Sequence, residues 1–255
     1  MKKLLVFVMG VLLLLGLGAT SVYALNLGTN ITIWDKMGTV NEDQEVEPNC
    51  VWDQQWDLEG FFLKGTTLTM VGGYDFKNGK DGYTSGDIFF DVTGDVKYGP
   101  ANTGTGGGNT TQFNTFGYDY ALVMNFNTNT LNVYAIDSNS QIITVFYAQN
   151  DEANPWKLYI PPTSQPTPYA TGNLTYWSGL SSSDVAGLVG SNHYAVAFDN
   201  ISFLGWQPFT SHFTYTCGND NLMGAGAPVP EPATMLLLGS GLIGLAGYAR
   251  KRFKK

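Results

Sequence analysis

The sequence predicts an all-β chain whose central part folds as an antiparallel, jelly-roll-like β-sandwich. Three observations carry that expectation. Strand-length apolar stretches recur roughly every 8–12 residues, about nine or ten times, separated by turn-forming clusters. The composition is that of strands and turns, with 31 glycines, 14 tyrosines and 15 phenylalanines among 255 residues. Long amphipathic helical patterns are absent between Leu25 and Pro228.

The chain opens with Lys2 and Lys3, an apolar run from Leu4 to Leu17, and small residues ending in Val22-Tyr23-Ala24. That order is the n-region, h-region and cleavage site of a secretory signal peptide, residues 1–24. The alternative is an uncleaved anchor. Cleavage after Ala24 leaves a mature chain starting at Leu25, outside the membrane.

The exported part, residues 25–221, is read as one β-domain, enough to bury a core. Asn30 to Trp34 is a short strand. Asn41 to Asn49 is acidic, contains Pro48 and reads as a loop. Asp57 to Leu63 and Thr66 to Phe76 form a hairpin around Lys64-Gly65. Asn78 to Gly86 is a turn or binding loop, and Gly86 to Val92 carries the buried-looking Ile88-Phe89-Phe90. Ala101 to Thr111 is low-complexity chain with nothing apolar to bury. Tyr118 to Phe126, Thr130 to Ile136 and Gln141 to Ala148 read as a three-strand meander, linked by Asn127-Thr128-Asn129 and Asp137-Ser138-Asn139-Ser140. Pro155 to Ile160 is an edge strand before the Pro-rich loop Pro161 to Pro168. Ser181 to Val189 reads as one short helix capped by a serine. His193 to Leu204 and Phe209 to Cys217 are the last strands, and Gly- and Ala-rich Leu222 to Pro228 is a linker.

Removing both ends changes the electrostatics. Of 13 Lys and Arg, six remain, against 20 of the 21 Asp and Glu. The domain therefore carries a charge near −14, where the whole chain carries −8. Such a surface repels nucleic acid and anionic lipid, favours solubility and attracts divalent cations. Cys50 and Cys217 both lie in the exported part, so an oxidising compartment favours a disulfide between them, closing a loop of 167 residues. The weaker readings are two thiols or a metal pair. No Cys-x-x-Cys spacing supports a metal or redox motif.

Catalytic patterns are sparse, and the expectation is a non-enzyme. His193 and His212 sit inside strand patterns with aromatic neighbours. Ser211 and His212 are adjacent on a strand, so they point to opposite faces and cannot pair. There is no Gly-x-Ser-x-Gly elbow, His-Glu-x-x-His motif or phosphate loop. Paired carboxylates for glycoside hydrolysis stay open, because sequence does not give their separation. The densest acidic stretch holds Asp75, Asp81, Asp87, Asp91 and Asp95 among glycines. Hard cations need such oxygens from a tightly turning loop, making these the calcium candidates. The competing reading, favoured here, is that they start and stop turns. Six tryptophans lie outside the C-terminal tail, and Trp156 and Trp177, flanking the Pro-rich loop, are the candidates for stacking on a sugar.

The last 27 residues have three parts in fixed order. Val229, Pro230, Glu231 and Pro232 form an extended turn in which the prolines delay any helix. Ala233 to Ala249 follow without a charge. At ~1.5 Å per residue this run spans roughly 25 Å, near the short limit for a membrane core of ~30 Å. Its glycines are tolerated by membrane helices. Arg250, Lys251, Arg252, Lys254 and Lys255 then hold the end in the cytoplasm. On physics alone this is a C-terminal anchor.

The string from Val229 through Gly247, followed by Tyr-Ala-Arg-Lys-Arg, closely resembles the PEP-CTERM protein-sorting domain. The resemblance covers about a tenth of the chain. It implies an exported bacterial protein recognised in the membrane by an exosortase and cut near Pro-Glu-Pro. The domain would then be released or re-anchored at the cell surface or in the extracellular matrix. A second, shorter likeness is that of Tyr194 to Leu204 to the closing strand of jelly-roll carbohydrate-binding modules. It implies an exopolysaccharide partner. The sequence thus orders three expectations: a non-catalytic sorted surface protein, then a carbohydrate-binding module, then a secreted hydrolase.

Overall fold

The computed structural model describes residues 24–33, 43–44, 46, 50–97, 108–146, 153–228 and 240–243. The signal sequence ahead of Ala24, the motif Val229, Pro230, Glu231 and Pro232, and the basic cluster Arg250, Lys251, Arg252, Lys254 and Lys255 lie outside these residues.

The hairpin expected around Lys64-Gly65 forms from β3 (Leu58–Lys64) and β4 (Thr67–Gly72), with Gly65 at φ 60° in its turn. Positive φ is where glycine is strain-free. β5 (Ile88–Asp91) follows the expected Ile88-Phe89-Phe90 run, and β7 (Tyr120–Asn125) pairs with β8 (Thr130–Ala135) as read. The remaining strands of the large sheet are β1 (Thr29–Asn30), β2 (Thr32–Ile33), β11 (Ala170–Leu180), β12 (His193–Phe198), β13 (Phe209–Thr214) and β14 (Asn221–Gly226). A smaller sheet holds β6 (Thr111–Phe113), β9 (Gln141–Ile143) and β10 (Lys157–Leu158).

All strand pairings among the described residues are antiparallel, as expected, and most strands follow one continuous order. Eleven strands form a single sheet in the order β1-β3-β4-β12-β11-β8-β7-β5-β13-β14-β2. Because β1 and β2 are consecutive pieces of one segment, the two ends of that order meet. Ile31 makes the junction. Its N–H donates to the Phe61 carbonyl at 2.9 Å, and its carbonyl accepts from the Ala225 N–H at 2.9 Å. The sheet is thereby curled nearly into a barrel, which removes the exposed edges that an open sheet would leave.

The main core fills the inside of this curl with Leu58, Phe61, Met70, Ile88, Phe90, Val196, Phe198 and Phe213 among others, all buried. Two smaller clusters cover outer faces. Phe89 turns outward to meet Phe116, Tyr118, Ile142 and Leu158 beneath the small sheet. The continuous Ile88-Phe89-Phe90 run is therefore a strand buried on both faces. On the other side Phe62, Val71 and Ala195 are covered by Leu27 and Val185.

Four expectations are corrected. The meander stops after two strands, because β9 leaves for the small sheet and β11 takes its place beside β8. β11 shows no apolar alternation in sequence, since its eleven residues bury only Leu174. The helix expected over Ser181 to Val189 is one 3-10 turn, Ser182–Asp184, and Ala186 at φ 61° and Gly187 at φ 84° halt it. β12 ends at Phe198, where Asn200 enters the left-handed region and a 3-10 turn, Ile201–Leu204, begins. That strand lies between β4 and β11 rather than closing the fold. Finally, the supposed linker from Leu222 contains β14, buried over Asn221 to Gly224.

Candidate functional site

The five aspartates singled out in the sequence are not gathered around one point. Asp75 caps a turn, accepting from the Lys77 and Asn78 N–H groups at 3.0 Å, and from the Tyr176 hydroxyl at 2.7 Å. Asp81 is exposed and 3.6 Å from the Lys80 ammonium. Asp87 is buried beneath the small sheet, where it accepts from the Leu158 N–H at 2.9 Å. Asp91 accepts from the Thr93 and Gly94 N–H groups at 2.9 and 2.8 Å, and Asp95 takes the Thr93 hydroxyl at 2.9 Å. Asp87 and Asp91 do share a strand face, but four residues separate their Cα atoms by ~13 Å. One ion with oxygens at about 2.3–2.6 Å cannot use both. Turn capping accounts for Asp75, Asp91 and Asp95.

Trp156 and Trp177 are also apart. Trp156 is half-buried at the junction of the sheets, its carbonyl accepting from the Asp87 N–H and its own N–H donating to Ile143 O. Trp177 stands on β11, opposite Ala195, on the outer face of the large sheet. Ala197 is small, so the face of β12 between β4 and β11 is recessed into a trench there. The resulting cavity, about 230 Å³, has Trp177 as one wall and Thr69, Thr175, Asp199, Lys64 and Asn26 as polar lining. The most exposed tryptophans among the described residues are Trp52 and Trp206, which sequence reasoning did not single out.

A different centre sits where β3 and β12 begin. The β3–β4 register shifts between Leu58 and Gly60, leaving Glu59 as the extra residue of a bulge. The β11–β12 register also shifts between Trp177 and Leu180, next to His193. Bulges re-aim side chains, and here both irregularities lie at the level of one pair. Glu59 and His193 are fully buried, with the two carboxylate oxygens 2.8 and 2.7 Å from His193 Nδ1. Gln54 donates to Glu59 from the other side. On the far edge of the ring, His193 Nε2 lies 3.3 Å from Ser182 Oγ, which itself donates to Gly190 O at 2.9 Å.

Charge around this pair is unusual. Burial raises the Glu59 carboxyl above its ordinary pKa, against the pull of His193 and Gln54. Burial also opposes the imidazolium, but the Glu59 hydrogen bond and charge, with Asp43 behind them, prevail and hold His193 above its usual value. Asp43 is raised by burial while it accepts from the Val189 N–H. Asp43, Asp57 and Glu59 each offer an oxygen within 4.8 Å of the others, a spacing that could hold a cation. Asp57 accepts from the Gln44 N–H at 3.0 Å. No local sequence signal marks this centre, because Glu59 and His193 are 134 positions apart.

Cys50 and Cys217 are not bonded to each other in the structure. Their neighbours are nevertheless tied, since the Asn219 side chain accepts from the Val51 N–H at 2.8 Å and donates to the Val51 carbonyl at 2.9 Å. Burial, with a contribution from nearby Cys50, pushes the Cys217 thiol up to about 12. At the C-terminal end, residues 240–243 form an exposed helical turn. No helix among the described residues is long and apolar enough to cross a membrane.

Comparison with known families finds the PEP-CTERM protein-sorting motif at residues 228–252. No curated protein matches the chain, and no solved structure does.

Proposed function

From a chain that ends in a PEP-CTERM protein-sorting motif, we propose an exported bacterial protein whose tail is read by an exosortase. Sorting then delivers the curled β-domain to the cell surface or extracellular matrix. The motif match over residues 228–252 is the observation that carries this. The order of prolines, uncharged run and basic cluster supports it, since each part suits a membrane-embedded processing enzyme. Sorting by the tag asks no catalysis of the domain. Calcium enters this reading as a counter-ion to a charge near −14.

The test is replacement of Pro230, Glu231 and Pro232 by Ala in an exosortase-positive host. Full-length protein should accumulate in the membrane fraction, while the parent chain matures. Unchanged maturation would overturn the proposal.

The trench beside Trp177 favours a second reading, binding of an exopolysaccharide. An aromatic wall with hydroxyl, amide and charged groups around it suits a sugar, which presents an apolar face and a polar rim. Trp177→Ala should abolish retention on an immobilised acidic or neutral exopolysaccharide. Equal retention of both proteins removes this reading and leaves the sorting proposal intact.

A further inference from the structure

We propose that Ser182, His193 and Glu59 form an acyl-transfer site that hydrolyses short-chain esters of polyols. This goes beyond the sorting function and departs from the non-catalytic expectation of the sequence.

The geometry supplies each role in turn. Ser182 is half-buried and lines an open cavity of about 530 Å³. Its Oγ lies 3.3 Å from His193 Nε2, loose contact of the kind seen before substrate binds. His193 Nδ1 is 2.7 Å from a Glu59 oxygen, so the tautomer with its proton on Nδ1 leaves Nε2 as the base facing the serine. Gln54 fixes the Glu59 carboxylate in turn. The nucleophile, the base and its positioning residue come from a 3-10 turn, β12 and a bulge in β3. Such a chain is recognised by geometry, whatever its order in sequence.

At rest the Ser182 hydroxyl donates to Gly190 O. Rotation about its Cα–Cβ bond turns the same O–H toward Nε2. Attack on an ester carbonyl forms the Oγ–acyl bond as the serine proton passes to Nε2. The acyl–oxygen bond of the ester then breaks, and His193 returns that proton to the leaving alkoxide, releasing the alcohol. Water repeats the sequence on the acyl-serine, losing one proton to Nε2, and Ser182 recovers it as the carboxylic acid leaves. The net change is ester plus water to acid plus alcohol, with no other reactant.

The lining names the substrate class. Gly179, Leu180, Ser181, Ser183, Gly190 and Asn192 leave room without building a long apolar tunnel. Hydroxyl and amide groups suit a polyol, and the single leucine suits a short acyl group. The groups acting on the imidazole are Glu59, Asp43 and the Gly190 backbone carbonyl, and all three favour the imidazolium that forms during transfer.

The test uses the full-length protein in detergent micelles, with a fluorophosphonate probe and with p-nitrophenyl acetate. One adduct should map to the peptide containing Ser182. Ser182→Ala should lose at least a hundredfold in rate, on the scale of general-base assistance, with an unchanged melting temperature. Glu59→Gln should lower kcat with KM and melting temperature unchanged, which a merely structural role would not do. The proposal is overturned by a folded protein that forms no adduct at Ser182. It is equally overturned if acetate hydrolysis is the same in the parent and in Ser182→Ala across pH 6 to 9.

Discussion

Asp87 shows how one residue type can carry unrelated physics within twenty positions. Asp75 and Asp91 sit at turns and collect backbone N–H groups, the ordinary work of aspartate. Asp87 lies under the small sheet, and burial raises its pKa to about 7, although Lys157 and the Leu158 N–H pull it down. An unfolded aspartate titrates near 3.9. The native state therefore holds a proton that the unfolded chain has lost, and stability falls as pH rises from about 4 to about 7. The full difference is roughly 4 kcal/mol at one pKa unit per ~1.4 kcal/mol. Asp87→Asn keeps an oxygen for Leu158 and removes the titration. Urea melts should find the variant more stable than the parent at pH 8, with the gap closing near pH 4. Parallel curves at both pH values would reject a protonated Asp87.

At the scale of elements, glycine decides where strands can lie. β14 reads as a linker because Asn-Leu-Met-Gly-Ala-Gly offers little to bury. In the structure it crosses close to β3, and a Cβ at Gly224 would stand 2.9 Å from Ser211 Oγ and 3.1 Å from Phe61 Cβ. The absence of a side chain is what lets the two strands approach, so glycine content there marks packing and not flexibility. Gly224→Val should cost about 1–3 kcal/mol through overpacking, read as a lower urea midpoint with an unchanged slope. A variant as stable as the parent would show that the seam has slack. The bulge at Glu59 is the opposite case, since nothing in Leu-Glu-Gly-Phe-Phe announces an extra residue.

Across the whole molecule, closure is local at one point and long-range everywhere else. Residues 29–33 join the sheet's two ends, and Val51 is held by Asn219 from 168 positions away. Cys50 and Cys217 flank that second tie. In an oxidising compartment they should form a disulfide, closing a 167-residue loop. The chain-entropy estimate for so long a loop is about 5 kcal/mol, a ceiling that strain reduces. Non-reducing peptide mapping of exported protein should recover both cysteines in one linked species. Quantitative alkylation of both without reductant would reject the bridge.

The C-terminal tag was legible from sequence because its signal is contiguous: prolines, uncharged residues and cations act in the order in which they are written. The β class, the Lys64-Gly65 hairpin and the β7–β8 pair were legible for the same reason, since turn chemistry and alternation are local. Tertiary structure alone decided the curled sheet, because Ile31 bonds to strands that follow it by 30 and 194 positions. It alone joined Glu59 to His193 and brought Ser182 against the ring. It also separated Trp156, at the junction of the two sheets, from Trp177, on the outer face of β11. Backbone pairing between distant strands sets those placements, and no short window of residue types encodes which strands will meet.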